Sequence, residues 1–537
     1  MSAGGLVRLG LAALVLWLVL IQPNHPAAMT WGAFGLFPLE LPVILLGLMA
    51  LGGRAAAVVR VVLVGALVLI ALLKAADFGM FTAMGRGFNP VADLPLIEAA
   101  VRLMTGAMGG VMTVAAVLGA VLALALVTAL LWWATGVWAR VRLARPLAGL
   151  SGVVAGLAAV VALAEIGQAM GRWGLPIDPP GAAFTARVGA ERLVQARATI
   201  AELRAFAVAA RNDPFIGAEG LLDAIDRDVL IIFVESYGRT SLDTPLYADL
   251  HRATLAAGAA RLGDLGLATR SGFVSSPTRG GQSWLAHATF ANGLWIDDQT
   301  RYRAALVSGR ETLFHLAARS GFRTAAVMPQ ITLAWPEADF MGFDAVFAAA
   351  DLGYAGQPFN WVTMPDQFTL GALDRLLRDG GHDRPLFAQI ALSSSHAPWV
   401  PVPELVGWDD MGDGRIFDTM AASGDPPDVV WRDRDRVRAQ YRLSIDYALR
   451  TVIGYAARHA GDPPLIFVVG DHQAAGFVAL DERPDVPVHV IGPAALVDRV
   501  SGWGWDRGLI PAPDTPVMPM DGLRDRLLQA FSTGAAG

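Results

Sequence analysis

Five apolar stretches crowd the first 170 residues, near 5–22, 34–52, 56–75, 109–133 and 147–170. Each can reach the roughly 20 residues that cross a bilayer. Such stretches have no polar face to turn toward water, and only helices or closed barrels satisfy their backbone groups in lipid. They commit the start of the chain to a helical membrane domain integral to the bilayer, with five transmembrane helices expected. The rest of the 537 residues has ordinary soluble composition and is long enough for one large domain with its own core. The chain therefore reads as a transmembrane domain at 1–172, a juxtamembrane helical linker at 173–222 and a second domain at 223–537.

Basic residues in short loops set the orientation. Arg54 and Arg60 follow the second stretch, and Arg140, Arg142 and Arg145 separate the fourth from the fifth. Both connections are expected in the cytoplasm, so five spans place everything beyond residue 172 outside it. The expected setting is a bacterial inner membrane with an extracytoplasmic second domain. No small-residue cleavage site follows LVLIQPNHP, which separates the first stretch from a signal peptide. Lys74, the one lysine in the chain, and Asp77 stand at the end of the third stretch, where side chains can snorkel to the interface. Glu40, Glu165 and Gln168 lie within or beside spans and are functional candidates by default. The loop around 76–108, with Arg86, is expected on the outer surface of the membrane. Residues 182–212 repeat apolar positions at helical spacing and stop at Asn212-Asp213-Pro214, as an amphipathic juxtamembrane helix would.

With a net charge of −6 and no basic run, the chain has no nucleic-acid footprint. With no cysteine it can build neither disulfides, thiolate metal sites nor a cysteine nucleophile.

Beyond residue 228, strand-like runs alternate with helical patterns. Strands are expected at 228–234, 322–328, 385–392, 464–469 and 486–491. Helices are expected at 282–292, 311–320, 366–378, 434–459 and 521–531. That alternation predicts an α/β domain with a mostly parallel sheet and helices on both faces. In such sheets ligands sit beyond the carboxyl ends of the strands. There DVLIIFVESY ends in Glu235-Ser236, PLFAQIAL leads into Ser393-Ser394-Ser395-His396, and PLIFVV leads into Gly470-Asp471-His472. Carboxylates together with an imidazole suit Zn²⁺ or Mn²⁺, with Mg²⁺ also possible. Ser283 follows the glycine pair Gly280-Gly281 at the start of a helical pattern. It can serve as a nucleophile on a helix amino terminus or simply cap that helix.

The succession of five spans, VESYG, a hydroxyl residue some 48 positions on, and GDH resembles the lipoteichoic acid synthase and phosphoglycerol transferase group of the alkaline phosphatase/sulfatase superfamily. The resemblance covers nearly the whole chain and implies an alkaline-phosphatase/sulfatase-like fold. It implies one metal held by Glu235, Ser283, Asp471 and His472, with Ser283 as nucleophile. It implies substrate contacts from His396 in SSSHAPW and from Trp335 in QITLAWPE, and Arg279 is added to the substrate side. The expected activity moves a phosphoglycerol-type head group from a membrane phospholipid to an extracytoplasmic glycan or lipid-linked acceptor, through a phosphoseryl intermediate. Two departures stand out: serine replaces the family's threonine nucleophile, and Glu337 occupies the region where the family carries an arginine. A phosphoethanolamine transferase, a sulfatase or phosphodiesterase, and a binding module are the alternatives. Ser275-Ser276-Pro277-Thr278-Arg279 also fits the sulfatase S-x-P-T-R pattern, which makes Ser275 a rival nucleophile by oxidation to formylglycine.

Overall fold

A computed structural model describes residues 2–84, 86–360 and 363–533, and the chain divides into one unit up to Arg204 and another from Ala205.

In the first unit, α1 (Ala3–Ile21), α3 (Gly53–Met84), α5 (Gly110–Ala139) and α6 (Arg145–Ala169) are long and apolar enough to cross a membrane. The expected span at 34–52 is not. It folds as a 3₁₀ turn, Trp31–Gly35, and an eleven-residue helix, α2 (Glu40–Ala50). Eleven residues reach only about 16 Å, roughly half of a bilayer core. Pro38 blocks helix continuation before α2, and Leu51-Gly52-Gly53 ends it. The chain still reverses between α1 and α3. Lys74 in α3 bonds the Leu20 carbonyl and Gln22 bonds the Ala71 carbonyl, so α1 and α3 run side by side in the same direction. Arg60, early in α3, bonds the Trp132 carbonyl late in α5, so α5 runs opposite.

Lys74 and Asp77 do not snorkel; both are fully buried. The start of α7 (Phe184–Arg211) supplies their partners. Lys74 donates to Thr185 Oγ1 at 2.6 Å and lies over the Phe184 ring. Asp77 accepts from Arg192 at 2.6 Å and from the Phe88 amide at 2.8 Å. Glu165 accepts from the Ala183 amide and pairs with Arg187 at 2.8 Å, while Glu40 accepts from the Ala186 amide. Buried polar groups need such partners. The charges within the spans therefore fasten the first turns of α7 to the ends of α1, α3 and α6. In the 76–108 region a helix, α4 (Leu94–Met108), follows a turn in which Arg86 grips Asp93 at 2.7 and 2.8 Å.

The second unit is built on a nine-stranded sheet: β1 (Val229–Val234), β2 (Ala268–Ser275), β3 (Arg323–Met328), β4 (Ala345–Ala348), β5 (Leu386–Leu392), β6 (Leu465–Gly470), β7 (Asp485–Gly492), β8 (Asp506–Arg507) and β9 (Val517–Pro519). The order is β4-β3-β5-β1-β6-β7-β2-β8, with β9 on β2. From β4 to β6 every pairing is parallel, whereas β7 runs antiparallel to both β6 and β2. All five expected strands form. β1 is central, and its alternate residues enter opposite cores, which is why VLIIFV is apolar throughout. Leu230, Ile232 and Val234 join Tyr441, Ile445 and Ala448 of the helix Arg434–Arg458. Val229, Ile231 and Phe233 join Phe290 and Leu313 on the other face.

Candidate metal centre

Parallel register brings three strand ends level. Val234 pairs with Leu392 of β5 and with Gly470 of β6, so Glu235, Ser393 and Asp471 leave the sheet side by side. The turn after β1 is tight. Ser236 adopts a left-handed φ of 58°, which costs a non-glycine residue roughly 1 kcal/mol. Its amide donates to Asp471 Oδ1 at 2.8 Å and its hydroxyl to Glu235 Oε1 at 3.1 Å, which holds the turn and makes Ser236 a brace. Gly470 must be glycine here, because a Cβ would stand 2.0 Å from the Tyr237 carbonyl.

Four donors meet at this edge. Ser283 Oγ lies 2.8 Å from Glu235 Oε2 and 3.3 Å from His472 Nε2. His472 Nε2 lies 3.1 Å from Glu235 Oε1 and 3.9 Å from Asp471 Oδ2. Donors bound about 2 Å from a tetrahedral ion stand about 3.3 Å apart, so the set fits a single Zn²⁺-sized ion. Glu235, Asp471 and His472 are buried and, among the described residues, are the group of three acidic or imidazole side chains able to hold a metal. His472 Nδ1 faces the Gln473 carbonyl at 2.9 Å and must donate to it, which leaves Nε2 to the centre.

The electrostatics agree. Burial alone would depress His472, but Asp471 and Glu235 outweigh it and push it up to about 10. Burial alone would raise Glu235, yet the imidazolium beside it holds it well below the usual carboxylate range. Burial and the Glu235 charge push Asp471 well above that range.

Ser283 is the first residue of the helix Ser283–Asn292, entered through left-handed Gly280 and Gln282. Its side chain bonds Glu235 and His472, with no cap bond to its own helix, so the capping alternative does not hold. Ser275 lies inside β2 opposite Asp485, outside the four-donor cluster.

His396 is half-buried. Its Nδ1 donates to the Ala397 carbonyl at 2.5 Å, which leaves Nε2 to accept or give a proton. Trp335 is half-buried against Phe343 and within hydrogen-bonding reach of Tyr302, on a helix that packs on Leu285 and Ala288 behind Ser283. Arg279 turns its guanidinium onto the carbonyl and carboxylate of Glu482. Its backbone, however, pairs with Gln473, and the Gly280 amide donates to the Gln473 carbonyl at 2.7 Å.

Two neighbours escaped sequence reasoning. Asp366, fully buried, accepts from the amides of Ser393 (2.7 Å) and Ser394 (2.8 Å), while Ser395 Oγ donates to the Glu235 carbonyl at 2.6 Å. Together they fix the turn that carries His396. His287, one helical turn after Ser283, packs on the Phe233 ring at 4.0 Å with its Nε2 buried and unpartnered. Burial pushes it down to about 4, so it is a neutral imidazole. The Ser-x-x-x-His spacing was the available signal for His287; nothing local marked Asp366.

Among solved structures, the chain is similar to the lipoteichoic acid synthase LtaP from Listeria monocytogenes, with 11% identity, 61% of this chain and 78% of that chain covered, and a TM-score of 0.37. It is similar to the Streptococcus pyogenes phosphoglycerol transferase GacH in complex with sn-glycerol-1-phosphate, at 13% identity, 63% and 93% coverage, and a TM-score of 0.35. A third is the soluble domain of lipooligosaccharide phosphoethanolamine transferase A from Neisseria meningitidis, at 12% identity, 60% and 92% coverage, and a TM-score of 0.38. Comparison with curated proteins finds no match. Residues 227–483 match the family model described as Sulfatase. That window runs from β1 through Ser283 and His396 to Asp471-His472.

Proposed function

We propose that the chain transfers a phosphoglycerol-type head group from a membrane phospholipid to a hydroxyl of an extracytoplasmic glycan or lipid-linked acceptor. The observation that carries this reading is Ser283 Oγ on a helix amino terminus, within 3.3 Å of both a buried carboxylate and a buried imidazole. Glu235, Ser283, Asp471 and His472 would hold one divalent ion, Mn²⁺ or Zn²⁺. Such an ion lowers the serine pKa and offsets charge on the transferred phosphoryl group.

Ser283 Oγ, as alkoxide, attacks phosphorus, and the bond to the diacylglycerol oxygen breaks. His396 Nε2 gives that oxygen a proton. The acceptor hydroxyl then attacks phosphorus from solvent, its proton passes to the same His396 nitrogen, and the bond to Ser283 breaks. Protons and electron pairs balance over the two steps, and Ser283 is regenerated. The helix amino terminus that begins at Ser283 favours the phosphoryl oxygens. The spans of the first unit would keep the donor's membrane at hand, and the arginines at one end of those helices support an extracytoplasmic second unit.

One observation favours a second reading. Glu337 acts electrostatically on Tyr302, which also lies within reach of Trp335. A carboxylate two residues from Trp335 suits an ammonium group better than a glycerol, and so suits phosphoethanolamine. The test is diacylglycerol release from phosphatidylglycerol and phosphatidylethanolamine labelled in the acyl chains. Ser283→Ala should abolish it, and undiminished release would remove Ser283 as nucleophile. Preference between the two donors decides the head group.

A further inference from the structure

Trp431 is a large aromatic side chain held open to solvent beside the His396 turn. Its ring stacks parallel on Trp399, with centroids 5.8 Å apart and planes 5° from each other. Trp399 is 2% exposed, so the covered face of Trp431 is spoken for, while the residue as a whole keeps 41% of its surface. Two further contacts fix the ring: its indole N–H donates to the Pro398 carbonyl at 3.1 Å, and Phe477 meets it edge-on at 5.9 Å. The same stack reaches the catalytic edge. Trp399 donates to the Ser395 carbonyl at 2.7 Å, and its amide bonds the His396 carbonyl. An immobilised indole that keeps 41% of its surface open is a platform that loses little entropy on binding.

We infer that Trp431 is the platform on which a hexopyranose ring of the acceptor glycan stacks, next to the proton-transferring His396. This rests on the transfer reading above and adds the acceptor side of the same site. A pyranose has an apolar C–H face that fits an indole and a rim of hydroxyls that needs donors and acceptors. The rim beside Trp431 is polar in both senses: Asp428 and Arg432 are paired at 3.3 Å and are 72% and 75% exposed, and Asp425 with Arg436 follows. Planar carboxylate and guanidinium groups are suited to adjacent hydroxyls. The same charges oppose a lipid surface as the occupant, since seating Trp431 among head groups would carry Asp428 and Arg432 out of water.

The test uses the full chain in detergent, with a phospholipid donor and two acceptors: cellotetraose, which offers pyranose faces, and glycerol, which offers none. Trp431→Ala should lower the cellotetraose-to-glycerol ratio of kcat/KM roughly tenfold, the size of one aromatic contact. Trp431→Phe should restore most of it. An unchanged ratio overturns the inference, as does an equal fall for both acceptors, which would mean Trp431 only supports the His396 turn. Equilibrium dialysis of labelled cellotetraose against wild type and Trp431→Ala reads the platform without turnover; equal retention overturns it even if no donor is consumed. If wild type retains the sugar but releases no diacylglycerol, the transfer reading fails and the platform stands.

Discussion

Replacing Asp366 by Asn removes a buried charge and keeps the oxygen that two backbone amides need. Burial pushes the Asp366 carboxyl from its ordinary 3.8 up to about 6, and the Glu235 charge adds to it, against the two amide bonds that favour ionisation. Its second oxygen is buried without a partner. Because the folded value lies above the unfolded one, the folded state holds its proton longer. The stability from that proton is complete below about pH 4 and is lost as pH rises through about 6. The difference corresponds to about 3 kcal/mol. For a unit the size of residues 205–537, with an unfolding entropy of about 0.7 kcal/mol/K, this is about 4 °C in Tm. Asp366→Asn should therefore melt about 4 °C above wild type at pH 8, and the gap should close toward pH 4. Asp366→Ala should melt below wild type at every pH, because it orphans the amides of Ser393 and Ser394, at about 1–3 kcal/mol each. Scanning fluorimetry of both variants in one buffer series reads this directly. A lower Tm for the Asn variant at pH 8 would refute the argument, since it would mean the charge itself is stabilising.

Ser283→Ala should lose at least roughly 10³-fold in turnover, while Ser283→Thr, which keeps the hydroxyl, retains a measurable part; labelled diacylglycerol release compares them. Metal affinity should climb at least tenfold for each pH unit between 6 and 9, because His472, and Asp471 with it, must release protons to bind. Competition with a chromophoric chelator measures that slope, and a flat profile contradicts the ligand assignment. In the first unit, Asp77→Ala strands Arg192, whose side chain is only 15% exposed. It should cost about 3–5 kcal/mol, read as a fall in Tm of the detergent-solubilised chain.

The strands were legible where both faces are buried. β1, β5 and β6 are short apolar runs, and their ends carried the charged residues that a buried run cannot hold. β2 was not legible, because ATRSGFVS carries Arg270 and Ser271, which find partners only in the folded sheet: Trp505 and Asp498 for the first, His489 and Gly508 for the second. The span at 34–52 failed for the opposite reason. Hydropathy sums over Pro38 and the glycine pair, but a helix cannot run through them. Lys74 and Asp77 misled because snorkelling is a local expectation, whereas their partners Thr185 and Arg192 lie more than a hundred residues on. Asp366 was invisible for the same reason: its partners are backbone amides, which carry no sequence mark.

The protons at the candidate centre make a connected argument for its use. Glu235 is held below the usual carboxylate range, burial and the Glu235 charge push Asp471 well above it, and His472 is pushed up to about 10. Counting Ser283 as a hydroxyl, the four side chains together are close to neutral, as a set this buried requires. Taking up a divalent ion with loss of the Asp471 and His472 protons leaves the sum unchanged, so the exchange carries no net charge into the interior. In the proposed transfer a third proton, that of Ser283, would then leave for the serine to act as nucleophile, and the sum would fall by one. The helix amino terminus that begins at Ser283 offsets that added charge in part. A serine or threonine elsewhere on the sheet edge would lack that support. On the proposed transfer the nucleophilic hydroxyl therefore belongs on the Ser283 helix, while Ser236, whose hydroxyl already donates to Glu235 in the strained turn, serves as a brace.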